Sequence, residues 1–237
     1  MAKRILIVGS ADMDICVPAS RFPETGETLL QEGNVTYSPG GKGAGVAAAF
    51  AKMGGEAVFC ARVGRDAHGE TLYDYYRETG IDLAHLKIDK DNPTGTEVIL
   101  TEPSGKKHVL RYPGANAFLR EDDVENAFLT CPDALVMHLE PKAELVISAA
   151  RCAFRHGIPV FLDAGGVKED FPLSALPHLE VFTLNETETQ RLTGIRPSGV
   201  DSCLQAVLEL SKRVSAGYLV LKMGERGAFI YNGKHFW

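Results

Sequence analysis

The sequence predicts an α/β protein in which helices cover a mainly parallel sheet and a small β-sheet lid is set into that body. Three observations carry this reading. Short apolar runs bounded by turn residues alternate with helix-period segments, the pattern of βαβ units. Two regions, residues 14–37 and 94–112, break the alternation, being β-rich with Pro and Gly turns and no helical period. Within the second, the turn Glu102-Pro103-Ser104-Gly105-Lys106 separates the apolar runs Thr96–Leu100 and His108–Leu110, which signals a hairpin and a small antiparallel sheet.

Taken in order, Arg4–Gly9 is an apolar run closed by glycine, as expected of a strand buried on both faces. The Ala-rich segment Gly43–Met53 is the first helix, followed by a second apolar run, Ala57–Val63, and a helix over Ala67–Thr79. Beyond the hairpin, helices over Arg120–Phe128, Lys142–His156, Glu186–Thr193 and Asp201–Ala216 are interleaved with strands Ala134–Leu139, Pro159–Asp163, Val181–Leu184 and Tyr218–Lys222. Lys222-Met223-Gly224-Glu225-Arg226-Gly227 then turns into Ala228–Tyr231, and Asn232-Gly233 opens a hairpin whose return strand stops at Trp237. Residues 1–237 are read as a single domain whose C-terminal part is missing, and such a loss would leave apolar sheet surface uncovered.

Composition excludes several classes of function. The chain has 25 Lys+Arg against 31 Asp+Glu, a formal net charge of −6, so a general nucleic-acid binder is not expected. No stretch approaches a membrane span, and Ile5 to Val8 is too short for a signal-peptide core. Cys16, Cys60, Cys131, Cys152 and Cys203 are odd in number and never form CxxC, which reads as reduced thiols in a cytoplasmic protein. The Gly-Lys pairs at 41–42, 105–106 and 233–234 are not followed by Ser or Thr, so there is no P-loop. Gly9-Ser10-Ala11-Asp12-Met13-Asp14 lacks GxGxxG, and the seven histidines form no HExxH or Cys/His cluster.

Four places remain where chemistry could sit. Asp12 and Asp14 stand two apart at a strand end, so extended backbone puts both carboxylates on one side, as suits the hydroxyls of a polyol. A surface turn or N-cap pair is the other reading. Pro39-Gly40-Gly41-Lys42-Gly43-Ala44-Gly45 runs into a helix start, where glycines admit a ligand to the backbone, or else merely let helix and strand pack closely. Glu140 follows a strand at the sheet edge where ligands bind, or is a solvated loop carboxylate. Asn185-Glu186-Thr187-Glu188 also follows a strand, and its N-x-x-E spacing equally describes a capping box.

Together these pieces resemble the ribokinase-like (PfkB) carbohydrate kinases, the ribokinase branch most closely. The matching stretches are Ile7-Val8-Gly9-Ser10 with Asp14, Phe22-Pro23-Glu24-Thr25-Gly26-Glu27-Thr28, Gly40-Gly41-Lys42-Gly43-Ala44 and Val63-Gly64-Arg65-Asp66 with Gly69. Tyr112-Pro113-Gly114-Ala115-Asn116-Ala117, Leu139-Glu140, Leu184-Asn185-Glu186-Thr187-Glu188 with Leu192-Thr193-Gly194, and Gly224-x-x-Gly227 follow in family order. The resemblance implies a three-layer, Rossmann-like body and a β-sheet lid that closes over the sugar and forms a homodimer interface. It implies phosphoryl transfer from Mg·ATP to a primary hydroxyl of a pentose or related sugar. Asp14, Gly41, Lys42 and Glu140 would hold the sugar, with Asp12, Gly40 and Gly45 beside them. Asn185, Lys222, Gly224 and Gly227 would lie on the ATP side, and Glu188 would organise Mg²⁺ through water.

Two departures bear on the substrate. The family usually has Asn where this chain has Gly45, and Asn where it has Asp12, which changes the count of donors and acceptors. A pentose, a hexose or a nucleoside fits that change. The family signature D-T-x-G-A-G-D, which supplies the general base and the anion hole, does not occur in the 237 residues and is expected beyond Trp237. The adenine-covering loops and the ligands for K⁺ are expected there too. A catalytically incomplete short form that binds sugar or a partner is therefore the alternative to an active kinase.

Overall fold

The computed structural model describes residues 2–237. In chain order its strands and helices are β1 (Arg4–Val8), β2 (Asp12–Pro18), β3 (Thr36–Gly40), α1 (Lys42–Lys52), β4 (Glu56–Gly64) and α2 (Ala67–Thr79). Then come β5 (Leu86–Asp89), β6 (Gly95–Thr101), β7 (Lys107–Tyr112), α3 (Glu121–Ala127), β8 (Ala134–His138) and α4 (Ala143–Arg155). The last are β9 (Val160–Asp163), β10 (Leu179–Asn185), α5 (Glu186–Thr193), α6 (Val200–Ser211), β11 (Ala216–Lys222) and β12 (Ala228–Tyr231).

Eight strands form the body sheet in the order β12-β11-β10-β9-β8-β1-β4-β5, all parallel except β12. Alternation along each strand divides the core into two layers. Leu6, Val8, Leu135, Met137, Leu162, Phe182 and Leu184 belong to the layer that includes the buried residues of α3, α4 and α6. Ile5, Ile7, Ala57, Phe59 and Ala61 face the other way with Ala47, Leu72 and Tyr76 of α1 and α2. On this second face Val136, Phe161, Val181 and Tyr218 stand in one cross-strand row over β8 to β11. The first three are half-buried and Tyr218 is 41% exposed.

The small sheet has the order β3-β2-β6-β7. It departs from the expected antiparallel sheet in its centre, where β2 and β6 run parallel. Each follows a body strand, β1 and β5, and those two run in the same direction, so both leave the body the same way. Only the two ends of the 14–37 region are strands, β5 was not anticipated from the sequence, and α6 stops at Ser211 rather than at Ala216. The final hairpin forms as read: the backbones of Ile230 and Trp237 exchange hydrogen bonds of 3.0 Å.

What positions the site is a close approach between the end of β1 and the start of α1. A Cβ added at Gly43 would lie 2.8 Å from the backbone of Gly9 and 2.9 Å from the Ser10 nitrogen. Gly41 has φ 91° and turns the chain into the helix against Ser10 and Asp12. Gly45, one turn on, has nothing within 4 Å of a Cβ added there. Gly43→Ala is therefore expected to destabilise by about 1–3 kcal/mol through overpacking. Gly45→Ala should gain about 0.5–1 kcal/mol of helix propensity. Urea denaturation of both variants checks the pair, and equal effects would contradict this packing.

Candidate functional site

The predicted residues converge at the carboxyl ends of the parallel strands, the edge at which open α/β sheets bind ligands. β2 carries Asp12 and Asp14 into the small sheet, and two glycines make room for them. A Cβ at Gly40 would strike the Asp14 carboxylate, and one at Gly95 the Asp12 carboxylate. Gly40 thus makes room for the neighbouring acid.

The two aspartates have different surroundings, which the reading of a matched acceptor pair did not anticipate. Asp12 is 0% exposed. Its Oδ1 accepts a 2.7 Å hydrogen bond from Asn116 Nδ2, and its Oδ2 a 3.0 Å bond from the Arg111 guanidinium. Burial pushes the Asp12 carboxyl up to about 6, against the attraction of Arg111. Asp14 is half-buried, its Oδ1 has no partner, and burial followed by the nearby Glu97 raises its pKa.

Glu140 follows β8, and its side chain is 4% exposed. Its Oε2 accepts from the Ser10 hydroxyl at 2.5 Å, while Oε1 lies 3.2 Å from Arg111 and 3.5 Å from Lys42 Nζ. Lys42 is the first residue of α1, and its N–H donates to the same Ser10 hydroxyl at 3.1 Å. Its stem lies close to Gly165, just past β9.

Lys42 also forms one wall of a cleft of 620 Å³ shared with Gly45, His138, Asp163, Asn185, Glu188 and Lys222. The N-x-x-E segment is a capping box: Asn185 Oδ1 accepts the Glu188 N–H at 2.8 Å, and Glu188 Oε2 accepts the Asn185 N–H at 2.7 Å. The capping reading of this motif therefore holds, and both residues also line the cleft. Lys222 pairs with Asp163, which also accepts from the Thr183 hydroxyl and, at 2.9 Å, from the Gly165 N–H. Burial disfavours a charged Asp163, but these bonds outweigh it and hold its pKa below the ordinary value. Gly224 and Gly227, with φ 57° and 86°, shape the turn after Lys222 and are not part of the cleft wall.

For a magnesium ion, direct ligation by a cluster does not fit, since the described residues contain no group of three or more His, Cys, Asp or Glu placed to hold a metal. Contact through water does fit, because the cap engages only one Glu188 oxygen and that residue lines the cleft. Among the residues the sequence reading missed, Arg111 is the most consequential. Its signal was a charge in the second hairpin strand, opposite Glu97, but the pairing becomes visible only with the hairpin register. Asp163 and Thr183 were hidden inside predicted strands.

The elevated Asp12 pKa has a measurable consequence. The folded value, about 6, lies above the ordinary 3.8, so the folded state holds a proton that the unfolded state has released. The stability due to Asp12 is full below the lower value and is lost as pH rises through the higher one. The unfolding free energy of the wild type minus that of Asp12→Asn should therefore fall from about pH 4 to about pH 6 and then level off. Urea denaturation across that range tests it, and a flat difference would contradict the buried setting of Asp12.

Comparison with known proteins bears on family and fold. A family model described as pfkB family carbohydrate kinase matches residues 2–237. The ribokinase of Arabidopsis thaliana is 30% identical over 237 residues, which cover 97% of this chain and 62% of that protein's length. A deoxyribokinase of Salmonella typhi is 27% identical over 226 residues, covering 94% of this chain and 73% of its own. A solved structure of the Arabidopsis ribokinase complexed with ribose and ATP superposes with a TM-score of 0.86 at 28% identity, covering all of this chain and 77% of that one. The strand order, the small sheet and the family match lead to one assignment: the chain belongs to the pfkB family of carbohydrate kinases.

Proposed function

We propose that the chain forms the acceptor side and the phosphate-facing side of an ATP-dependent sugar kinase that phosphorylates a primary hydroxyl of a pentose or related sugar. The observation that carries this is the place of Lys42. Its ammonium lies 3.5 Å from Glu140, on the side of the Arg111-paired acids, and its side chain also lines the cleft of Asn185, Glu188 and Lys222. A cation shared by the two compartments is what a phosphoryl group crossing between them requires. The relatives act on, or are bound to, a pentose and ATP by their names, which supports the same substrate class.

In this reading Asp14 accepts a sugar hydroxyl through Oδ2, since its Oδ1 is buried against Gly40. Gly45 leaves open space on α1 that admits the sugar ring. Lys222, steadied by Asp163, faces the phosphates, and the Asn185–Glu188 cap stands beside it. Mg²⁺, when bound, would neutralise phosphate charge, with Glu188 receiving its water ligands. A second reading, sugar binding without phosphoryl transfer, is favoured by one observation: Asp12, Glu140 and Asp163 are each held by a cation, and the acid without an ion pair, Asp14, is the one assigned to the sugar.

A coupled ADP-release assay with Mg·ATP and a panel of pentoses, hexoses and nucleosides separates the two. Turnover supports the kinase, whereas silence with sugar-dependent thermal stabilisation supports binding alone. Neither signal on any sugar would overturn the proposal. Asp14→Asn should weaken sugar binding about tenfold or more, the scale of a lost charge-assisted hydrogen bond. We further propose dimerisation through the small sheet, on one face of which Tyr37, Ile15, Val98 and Leu110 form an apolar row. Val98→Lys should then shift sedimentation from dimer to monomer, and an unchanged coefficient would contradict that interface.

A further inference from the structure

We propose that Arg111 is the specificity-determining residue of the acceptor pocket, reserving Asp14 for hydroxyl recognition and confining the site to uncharged sugars. The inference rests on the acceptor reading above and deepens it. Asp14, Glu97 and Arg111 occupy matching positions on β2, β6 and β7, so they form one cross-strand row on a single face of the small sheet. From that row the guanidinium reaches three carboxylates on three segments. It lies 3.0 Å from Asp12, 3.2 Å from Glu140 and 3.1 Å from Glu97, the last without hydrogen-bond alignment.

The consequence follows from counting lone pairs and charges. Asp12 has one oxygen on Arg111 and the other on Asn116, and Glu140 has one on Arg111 and Lys42 and the other on Ser10. Both carboxylates are thereby committed, whereas Asp14 accepts no hydrogen bond from the chain; its Oδ1 is buried against Gly40, so Oδ2 is the oxygen left for a ligand. An arginine carries five N–H donors, so the guanidinium has donors left for a ring or hydroxyl oxygen. The cluster then offers an acceptor at Asp14 and donors at Arg111 and Lys42, which matches a hydroxyl that both gives and takes a hydrogen bond. Four carboxylates, Asp12, Asp14, Glu97 and Glu140, face three cations, Lys42, Lys107 and Arg111, within this cluster. A further negative charge, as on a sugar acid or sugar phosphate, would enter an already electronegative pocket of low dielectric.

Arg111→Met alone would leave Asp12 buried without its counter-charge and could prevent folding, so the informative variant is Arg111→Met with Asp12→Asn, an uncharged pair. Arg111→Lys keeps the charge and loses the fork. Binding of neutral pentoses, neutral hexoses and sugar acids is measured by calorimetry and thermal shift on wild type and both variants. The wild type should prefer neutral sugars over sugar acids by at least about tenfold. In the double variant, where Glu140 keeps Lys42 and Ser10 but loses Arg111, the rank order of the neutral sugars should change, with at least one affinity ratio moving about tenfold or more. A merely structural Arg111 would lower the melting temperature and leave the ranking as it was, and that outcome overturns the proposal. Tighter binding of a sugar acid by the wild type also overturns it. A wild type that binds no sugar refutes the acceptor reading itself, which is distinct from an unchanged ranking among sugars that do bind.

Discussion

The site depends on how closely two pieces of backbone can approach where β1 ends and α1 begins. Gly9 and Gly43 meet where a single added carbon on either would lie 2.8 Å from the other's backbone. That contact sets α1 on the sheet, presents Lys42 at the sheet edge and brings Ser10 under both Lys42 and Glu140. The same turn launches β2, so the position of the small sheet follows from it as well. Glycine here is a steric requirement of the scaffold, whereas Gly45 has open space around it and lines the cleft. One glycine-rich run therefore holds two kinds of glycine, told apart by what each would touch.

Charge is the second organising constraint. Burying carboxylates is costly unless they are paired and hydrogen-bonded. The chain meets that requirement twice at the sheet edge, with Arg111 among Asp12, Glu97 and Glu140, and with Lys222 and Thr183 on Asp163. Lys42 stands between the two groups. Because Arg111 comes from the small sheet and Glu140 from the body, one of these ion pairs also joins the two sheets. The electrostatics that hold the acids in place thus hold the small sheet in register with the body beneath it.

How much was legible beforehand can be judged element by element. The alternation of apolar runs and helical segments is local, and β1, β4, β8, β9, β10, β11 and all six helices appear close to where it puts them. β5 is short, and its sequence Leu86-Lys87-Ile88-Asp89 offers only two apolar residues, too few to signal a strand. The 14–37 region lost its middle because its Pro and Gly turns carry chain that pairs with nothing regular. At the site, Asp14, Lys42 and Glu140 were named from motif position, and the structure brings them to one edge. Asp12 was named as an equal partner of Asp14 and is instead enclosed by Arg111 and Asn116.

What the sequence by itself determined is whatever depends on spacing within a few residues. The period of 2 or 3.6 assigns an element, the N-x-x-E cap starts α5, Asp66 caps α2, and glycines end helices at positive φ, as Gly80 and Gly194 do. What only the tertiary structure decided is which charges meet. Arg111 and Asp12 are 99 residues apart, Ser10 and Glu140 are 130 apart, and Lys222 and Asp163 are 59 apart. Their contacts follow from strand order and register, which a local pattern does not encode. The roles of the acids at this site are set by those distant partners, because a buried carboxylate is available to a ligand only where no cation of its own chain already holds it.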